Sequence, residues 1–221
     1  RGIENGYAIG RDLSLLSHFR QMGVVYMTLC HNGDNDICDS ARGHAEHGGL
    51  SAFGQEVVRE MNALGMMIDM SHAAESSFYD ALALSQVPIV CSHSSSRALC
   101  SHPRNLTDDQ MKALAAQGGV AQVTLYHGFL RHEGEATVLD ALDHLHHMVQ
   151  VMGPEHVGIG TDFDGDGGVR GLKDASELIG FTRQLLRRRY SESDLQGIWG
   201  GNFLRVMRQV QSSATSHLGL S

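Results

Sequence analysis

Residues with the chemistry of metal ligands or proton carriers recur at the ends of short apolar runs: Glu4, His31, His72, His93, Tyr126-His127 and Asp162. Carboxylates and neutral imidazoles are donors that zinc accepts, and both groups also move protons. His72 closes Asp69-Met70-Ser71-His72 and His93 closes Val90-Cys91-Ser92-His93, so two consecutive runs end in Ser-His. One strand-end histidine is commonly structural, and the repetition is what points to a shared ion. A carboxylate, several imidazoles and an aspartate arriving from different strand ends suit a metal-dependent hydrolase. Arg104, in Pro103-Arg104-Asn105-Leu106 just before a helix, offers a guanidinium that can grip a substrate carboxylate bidentately. Taken alone it reads more readily as a surface ion-pair arginine.

Other residues carry blander expectations. The string Asp162-Phe163-Asp164-Gly165-Asp166-Gly167 resembles the start of a calcium loop, but position twelve, where a bidentate glutamate belongs, is Lys173. Calcium is therefore rejected, and Asp162 is a strand-end carboxylate. No Gly-x-Ser-x-Gly elbow surrounds Ser94 to Ser96, which are expected to cap a following helix. His144, His146 and His147 fall on a helix and are expected to face solvent, while His44 and His47 lie in a polar loop. Asn105-Leu106-Thr107 matches a glycosylation triplet that is common by chance. The four cysteines, Cys30, Cys38, Cys91 and Cys100, contain no Cys-x-x-Cys pair and read as buried thiols.

The elements that must position these residues alternate. Strand-like runs at 24–29, 66–70, 88–91, 120–125 and 156–161 join a strand that must end at Gly2-Ile3-Glu4. Helical patterns are expected at about 51–64, 73–85, from 107, at 137–152, 174–189 and 191–211, with a Thr107/Gln110 capping box. Strands without polar alternation fit a parallel sheet buried on both faces. The fold class is thus α/β, as a TIM-type (β/α)₈ barrel represented by about six of its eight βα units, in one partial catalytic domain over 1–221. An open doubly wound sheet is the runner-up, weakened by the lack of a glycine-rich phosphate loop.

The composition bounds the function. With 221 residues, 42% hydrophobic, 19% charged and a net charge of −8, the chain has no basic stripe for nucleic acid and no transmembrane run. The edges of an open barrel would favour association into a homo-oligomer.

In order and spacing, several motifs resemble the membrane dipeptidase (renal dipeptidase, M19) family of zinc peptidases, particularly its bacterial members. They are Gly2-Ile3-Glu4-Asn5-Gly6, Thr28-Leu29-Cys30-His31-Asn32, Leu50-Ser51-Ala52-Phe53-Gly54, Met70-Ser71-His72, Ser92-His93-Ser94, Pro103-Arg104-Asn105-Leu106, Gly160-Thr161-Asp162-Phe163-Asp164-Gly165 and Trp199-Gly200-Gly201-Asn202. The resemblance implies a barrel holding two zinc ions and a metallo-dipeptidase in which a hydroxide bridging the metals attacks the peptide. Glu4 would bridge the metals, and His72 and His93 would complete the second zinc's ligands. Asp162 would lie by the first zinc as a ligand and carry a proton. His31 would bind the scissile carbonyl, and Arg104 the substrate's carboxylate. Tyr126 receives no role.

The family's first zinc also takes a His-x-Asp pair from the first barrel strand, and no such pair occurs in these residues. The expectation is an N-terminally incomplete chain that binds its first metal weakly and turns over poorly unless the missing strands are supplied. Bacterial relatives imply an exported or periplasmic location. The competing readings are a catalytically impaired barrel fragment or an amidohydrolase acting on another small amide or lactone. No lysine ends a strand to carry the bridging modification such amidohydrolases use.

Overall fold

The computed structural model describes residues 1–214. Six strands, β1 (Gly2–Glu4), β2 (Tyr26–Thr28), β3 (Met67–Asp69), β4 (Val90–Cys91), β5 (Val120–Val123) and β6 (Val157–Ile159), are ordered in the sheet as they are in the chain. Helices alternate with them, and every strand pairing given below is parallel, as an α/β barrel requires. The described residues form two compact units. The first is Arg1–Val90 with 117–119 and 205–214, and the second is Cys91–Ala116 with Val120–Leu204.

In the first unit β1 pairs with β2 (Glu4 opposite Thr28), β2 with β3 (Thr28 opposite Asp69) and β3 with β4 (Asp69 opposite Val90). This register puts the carboxyl ends of β1 to β3 level with one another. Met27, Met67, Ile68 and Val90 are buried, which explains why these runs lack polar alternation. Helix α1 (Ser14–Gln21) has no counterpart in the sequence reading; Asp12 starts it by accepting from the Ser14 amide and hydroxyl. Helix α2 (Ala52–Leu64) starts at Ser51, whose hydroxyl accepts from the Gly54 amide, and stops at Gly65 in the left-handed region (φ 65°). Val57, Val58 and Met61 are its buried face. Helix α3 (Glu75–Leu84) buries Phe78 and Ala81.

In the second unit β5 pairs with β6, Ala121 opposite Val157 and Val123 opposite Ile159. Helix α4 (Asp108–Ala116) opens with the expected box: the Gln110 amide donates to Thr107 Oγ1 at 3.1 Å and the Thr107 amide to Gln110 Oε1 at 3.0 Å. A short helix α5 (His127–Leu130) begins directly after Tyr126. Helix α6 (Val138–Met152) carries a second capping box, Thr137 with Asp140. A 3₁₀ turn over Ala175–Glu177, capped by Asp174, leads into α7 (Leu178–Arg187).

The continuous helix expected over 191–211 is instead α8 (Glu192–Gln196), a π turn over Gly197–Gly201 and α9 (Asn202–Ser212). Gly200 sits at φ 148°, a conformation only glycine adopts readily, so the Gly200-Gly201 pair breaks the helix. Asn202 then turns inward, its amide donating to the carbonyls of Pro154 and Val157. No helix of the described residues is long and apolar enough to cross a membrane.

Candidate active site

Glu4 is the last residue of β1, and the chain turns away at Asn5, which adopts φ 84°. Beyond β3 the chain runs Met70-Ser71 to His72, itself left-handed at φ 71°. Such a conformation costs a non-glycine residue about 1–3 kcal/mol and persists only where neighbours enforce it. Here the Ala41 amide donates to the His72 carbonyl at 2.7 Å. Buried Asp69 braces the same turn, accepting from Thr28 Oγ1 at 2.6 Å and from the Ser71 amide at 3.1 Å.

The side chains of Glu4, His31 and His72 converge. His72 Nε2 lies 3.1 Å from Glu4 Oε1, and His31 Nε2 lies 3.9 Å from the same oxygen. The two imidazole rings stack with centroids 4.1 Å apart. On the other side of His72, Nδ1 meets Asn32 Oδ1 at 3.2 Å. An Nδ1–H donating to that oxygen turns the Nε2 lone pair toward a carboxylate. Two electron-rich atoms facing each other call for a proton or a cation between them. The polar partner on the outer nitrogen is also how metal-ligating histidines are held in the right tautomer. The donor set therefore fits a metal ion.

In the second unit His93 follows β4 by two residues and is buried, its Nδ1 2.8 Å from Ser92 Oγ. Donation from Nδ1–H to that hydroxyl makes Nε2 the ligand atom. Glu4 and His72 are the carboxylate and imidazole that the first unit brings together, and His93 is a further imidazole of ligand type in the second. Arg104 is buried rather than on the surface, with its guanidinium 5.3 Å from the centre of the Phe129 ring. Its backbone amide donates to His102 Nδ1 at 3.1 Å. The Tyr126 ring packs on Phe129 with centroids 4.6 Å apart. Asp162, three residues beyond β6, is left-handed at φ 58°, and its carbonyl accepts from the amides of Gly165 (3.0 Å) and Gly167 (2.6 Å).

Several sequence expectations change. His144 does not face solvent. It is fully buried, with Nδ1 accepting from the Ser96 amide at 3.0 Å and Nε2–H donating to the Leu130 carbonyl at 3.1 Å. Burial, the largest influence, holds its pKa below the usual imidazole value. Apolar neighbours at positions three and four away could not reveal this, because one partner, Ser96, stands in a distant loop and the other, Leu130, closes α5. Ser94 to Ser96 cap no helix, since α4 starts only at Asp108. Asn105 is buried and donates to the carbonyls of Cys100 and Phe129, so its glycosylation triplet is out of reach. All four cysteines are free and buried, as expected. The sequence reading gave no role to Asn32, Asp69, Asn35 or Ser40. For Asn32, Asn35 and Ser40 the only signal is a dense polar run, Asn32 to Ser40, directly after a candidate ligand; for Asp69 it is a lone carboxylate in an apolar strand.

Three kinds of comparison place the chain among known proteins. The family model described as membrane dipeptidase (peptidase family M19) matches residues 1–218. An uncharacterized dipeptidase of Schizosaccharomyces pombe is 39% identical over 95% of this chain and 52% of its own length. Dipeptidase 3 of Mus musculus is 39% identical over 100% of this chain and 46% of its own. The chain thus spans about half the length of these curated relatives. Among solved structures, the probable dipeptidase PvdM from Pseudomonas aeruginosa superposes with a TM-score of 0.93 at 31% identity, covering 96% of this chain and 69% of that one. A metallo peptidase from Rhodobacter sphaeroides, liganded with a phosphinate mimic of the dipeptide L-Ala-D-Ala, gives 0.88 at 27% identity over 95% of this chain and 62% of that one.

Proposed function

Since the chain belongs to the membrane dipeptidase family, peptidase family M19, we propose that the protein is a zinc-dependent dipeptidase of the membrane dipeptidase type. The observation that carries the reading is the Glu4–His72 contact with Asn32 fixing the outer nitrogen of the ring. In this reading Glu4, His72 and His93 ligate the metal. Zinc at such a site lowers the pKa of water toward neutrality and polarises an amide carbonyl.

The chain's own residues supply the rest. His31, stacked on His72 at the site's exposed side, donates a hydrogen bond to the scissile carbonyl, where negative charge develops. Arg104 pairs the free carboxylate of the substrate, with its guanidinium plane set by Phe129. A free carboxylate bound close to the scissile bond limits cleavage to very short peptides. Asp162, aimed by its left-handed backbone, carries the proton to the leaving amine. The family's second zinc and its His-x-Asp ligands belong to the same proposal. The dipeptide mimic bound by the Rhodobacter sphaeroides relative suggests alanyl dipeptides, with an L or D C-terminal residue, as first substrates.

The test is zinc content and alanyl dipeptide hydrolysis in the full-length protein and its His72→Ala variant. The reading expects wild-type turnover, and loss of both metal and turnover in the variant. Unchanged zinc content and rate in His72→Ala would sink it.

A further inference from the structure

The segment between β2 and α2, residues 32–50, touches the carboxyl ends of three strands through a few polar atoms. Asn35 Nδ2 donates to the Leu29 carbonyl just past β2 (2.8 Å) and to Asn5 Oδ1 just past β1 (3.2 Å). Ser40 Oγ donates to the His31 carbonyl at 2.6 Å and lies 3.3 Å from the His72 carbonyl. The next amide, Ala41, takes up that His72 carbonyl, and Ser40 also bridges to Ala73 in antiparallel fashion. Ser40 itself is buried, and its amide donates to Asp34 Oδ1 at 2.7 Å.

The loop is rigid enough to serve as a gauge. Asn35 Oδ1 accepts from the Ile37 and Cys38 amides, and Asp34 accepts from Ser40 and His44. Buried Asp39 accepts from the amides of His47 and Gly49. His47 Nε2–H donates to the Asn35 carbonyl at 2.8 Å. Acceptors are matched to amides throughout, so moving one strand end relative to another breaks bonds to buried groups.

We propose that Ser40 and Asn35 are positioning residues: the 32–50 loop is a template that sets the spacing of Glu4, His31 and His72. Ser40 fixes His31 against His72, and Asn35 fixes the turn that follows Glu4 against the end of β2. Neither side chain touches metal or substrate. Both act through the backbone of residues that do. Supporting groups at this remove commonly change metal affinity or activity about 10- to 100-fold when lost. The inference rests on the metal-centre reading above.

The test uses the full-length protein with Ser40→Ala, Asn35→Asp and the hydroxyl-keeping Ser40→Thr. Asn35→Asp retains the acceptor oxygen and replaces the donor with a second acceptor. Three quantities are read: zinc affinity by competition with a chelating dye, the thermal midpoint of the metal-free protein, and kcat and KM on an alanyl dipeptide. The template predicts zinc affinity about 10-fold weaker in Ser40→Ala and Asn35→Asp. It also predicts a raised KM in Ser40→Ala, recovery in Ser40→Thr, and a loss of zinc affinity larger than any fall in the metal-free midpoint accounts for. Wild-type zinc affinity and KM in both variants would overturn it. So would losses that follow the metal-free midpoint alone. A wild-type protein that binds no zinc would instead remove the metal-centre reading, and the template with it.

Discussion

Two loops that follow strands, 32–50 after β2 and 160–177 after β6, solve the same problem in opposite ways. The first is held by side-chain acceptors. Asp34, Asn35, Asp39 and Ser40 each take or give hydrogen bonds to backbone groups, and Asp39 does so while fully buried. The second, over 162–167, is held by its own main chain, with side-chain acceptors, Asp174 and Glu177, only at its far end. Asp162 and Asp166 are left-handed, Gly165 and Gly167 donate back to the Asp162 carbonyl, and the carboxylates of Asp164 and Asp166 face outward. A lattice of side-chain acceptors makes a rigid frame, which suits the metal ligands proposed above. A glycine-rich turn orients one residue and leaves the neighbouring carboxylates exposed, which suits the proton carrier proposed for Asp162.

The sharpest way to break this contrast is Asp39→Ala. It strips the His47 and Gly49 amides of a charged acceptor inside the first unit, and hydrogen bonds to charged groups contribute about 1.5–3 kcal/mol each. A loss of about 3 kcal/mol is expected in urea unfolding, part of it restored in Asp39→Asn. A change below about 0.5 kcal/mol, the size of an ordinary surface substitution, would show that the loop does not depend on its acceptors.

Gly167→Ala probes the other loop. A Cβ there would press on the carbonyl oxygens of Thr161 and Asp162, and main chain cannot swing aside as a flexible side chain can. The aim of Asp162 should shift, with turnover down about 100-fold and a lowered thermal midpoint from the backbone strain. Full activity in this variant would mean that Asp162 does not need its turn.

The smallest expected effect concerns His144 in the second unit. Its neutral form satisfies both neighbours, the Ser96 amide at Nδ1 and the Leu130 carbonyl at Nε2. Protonation would set a new N–H against the Ser96 N–H. Burial depresses the folded pKa below the unfolded value of about 6.5. Above that value the contribution to stability is complete; as the pH falls below it, the unfolded chain takes up the proton first and stability declines. Unfolding curves from pH 8 to pH 5 should slope downward in the wild type and less so in His144→Gln. Equal slopes would show that His144 is not the group responsible.

Much of this arrangement is legible in the chain. The Thr107/Gln110 box, the Ser51 cap and the Gly65 stop are contacts within a few residues, and α4 and α2 form where those signals stand. Parallel β-structure follows from apolar runs spaced by helical patterns, and the strand ends carrying Glu4 and His72 do meet at 3.1 Å. Strand lengths were overread: 24–29 became Tyr26–Thr28, because flanking apolar residues such as Val24 and Leu29 are buried without pairing as strand. Helix 191–211 was overread for a related reason. Its amphipathic period continues through Gly200 even though the backbone there is not helical.

The sequence by itself determined the order of βα units, the helix caps and which residue types stand at the strand ends, since each depends on neighbours one to four positions away. Only the tertiary structure decided that His144 is buried, that Arg104 lies against Phe129, that His72 and Asp162 take left-handed backbones, and that Ser40 reaches two distant carbonyls. The physical reason is that a buried polar group is defined by the partner that satisfies it, and these partners are remote in sequence. Ser96 stands 48 positions from His144, and Glu4 stands 68 from His72.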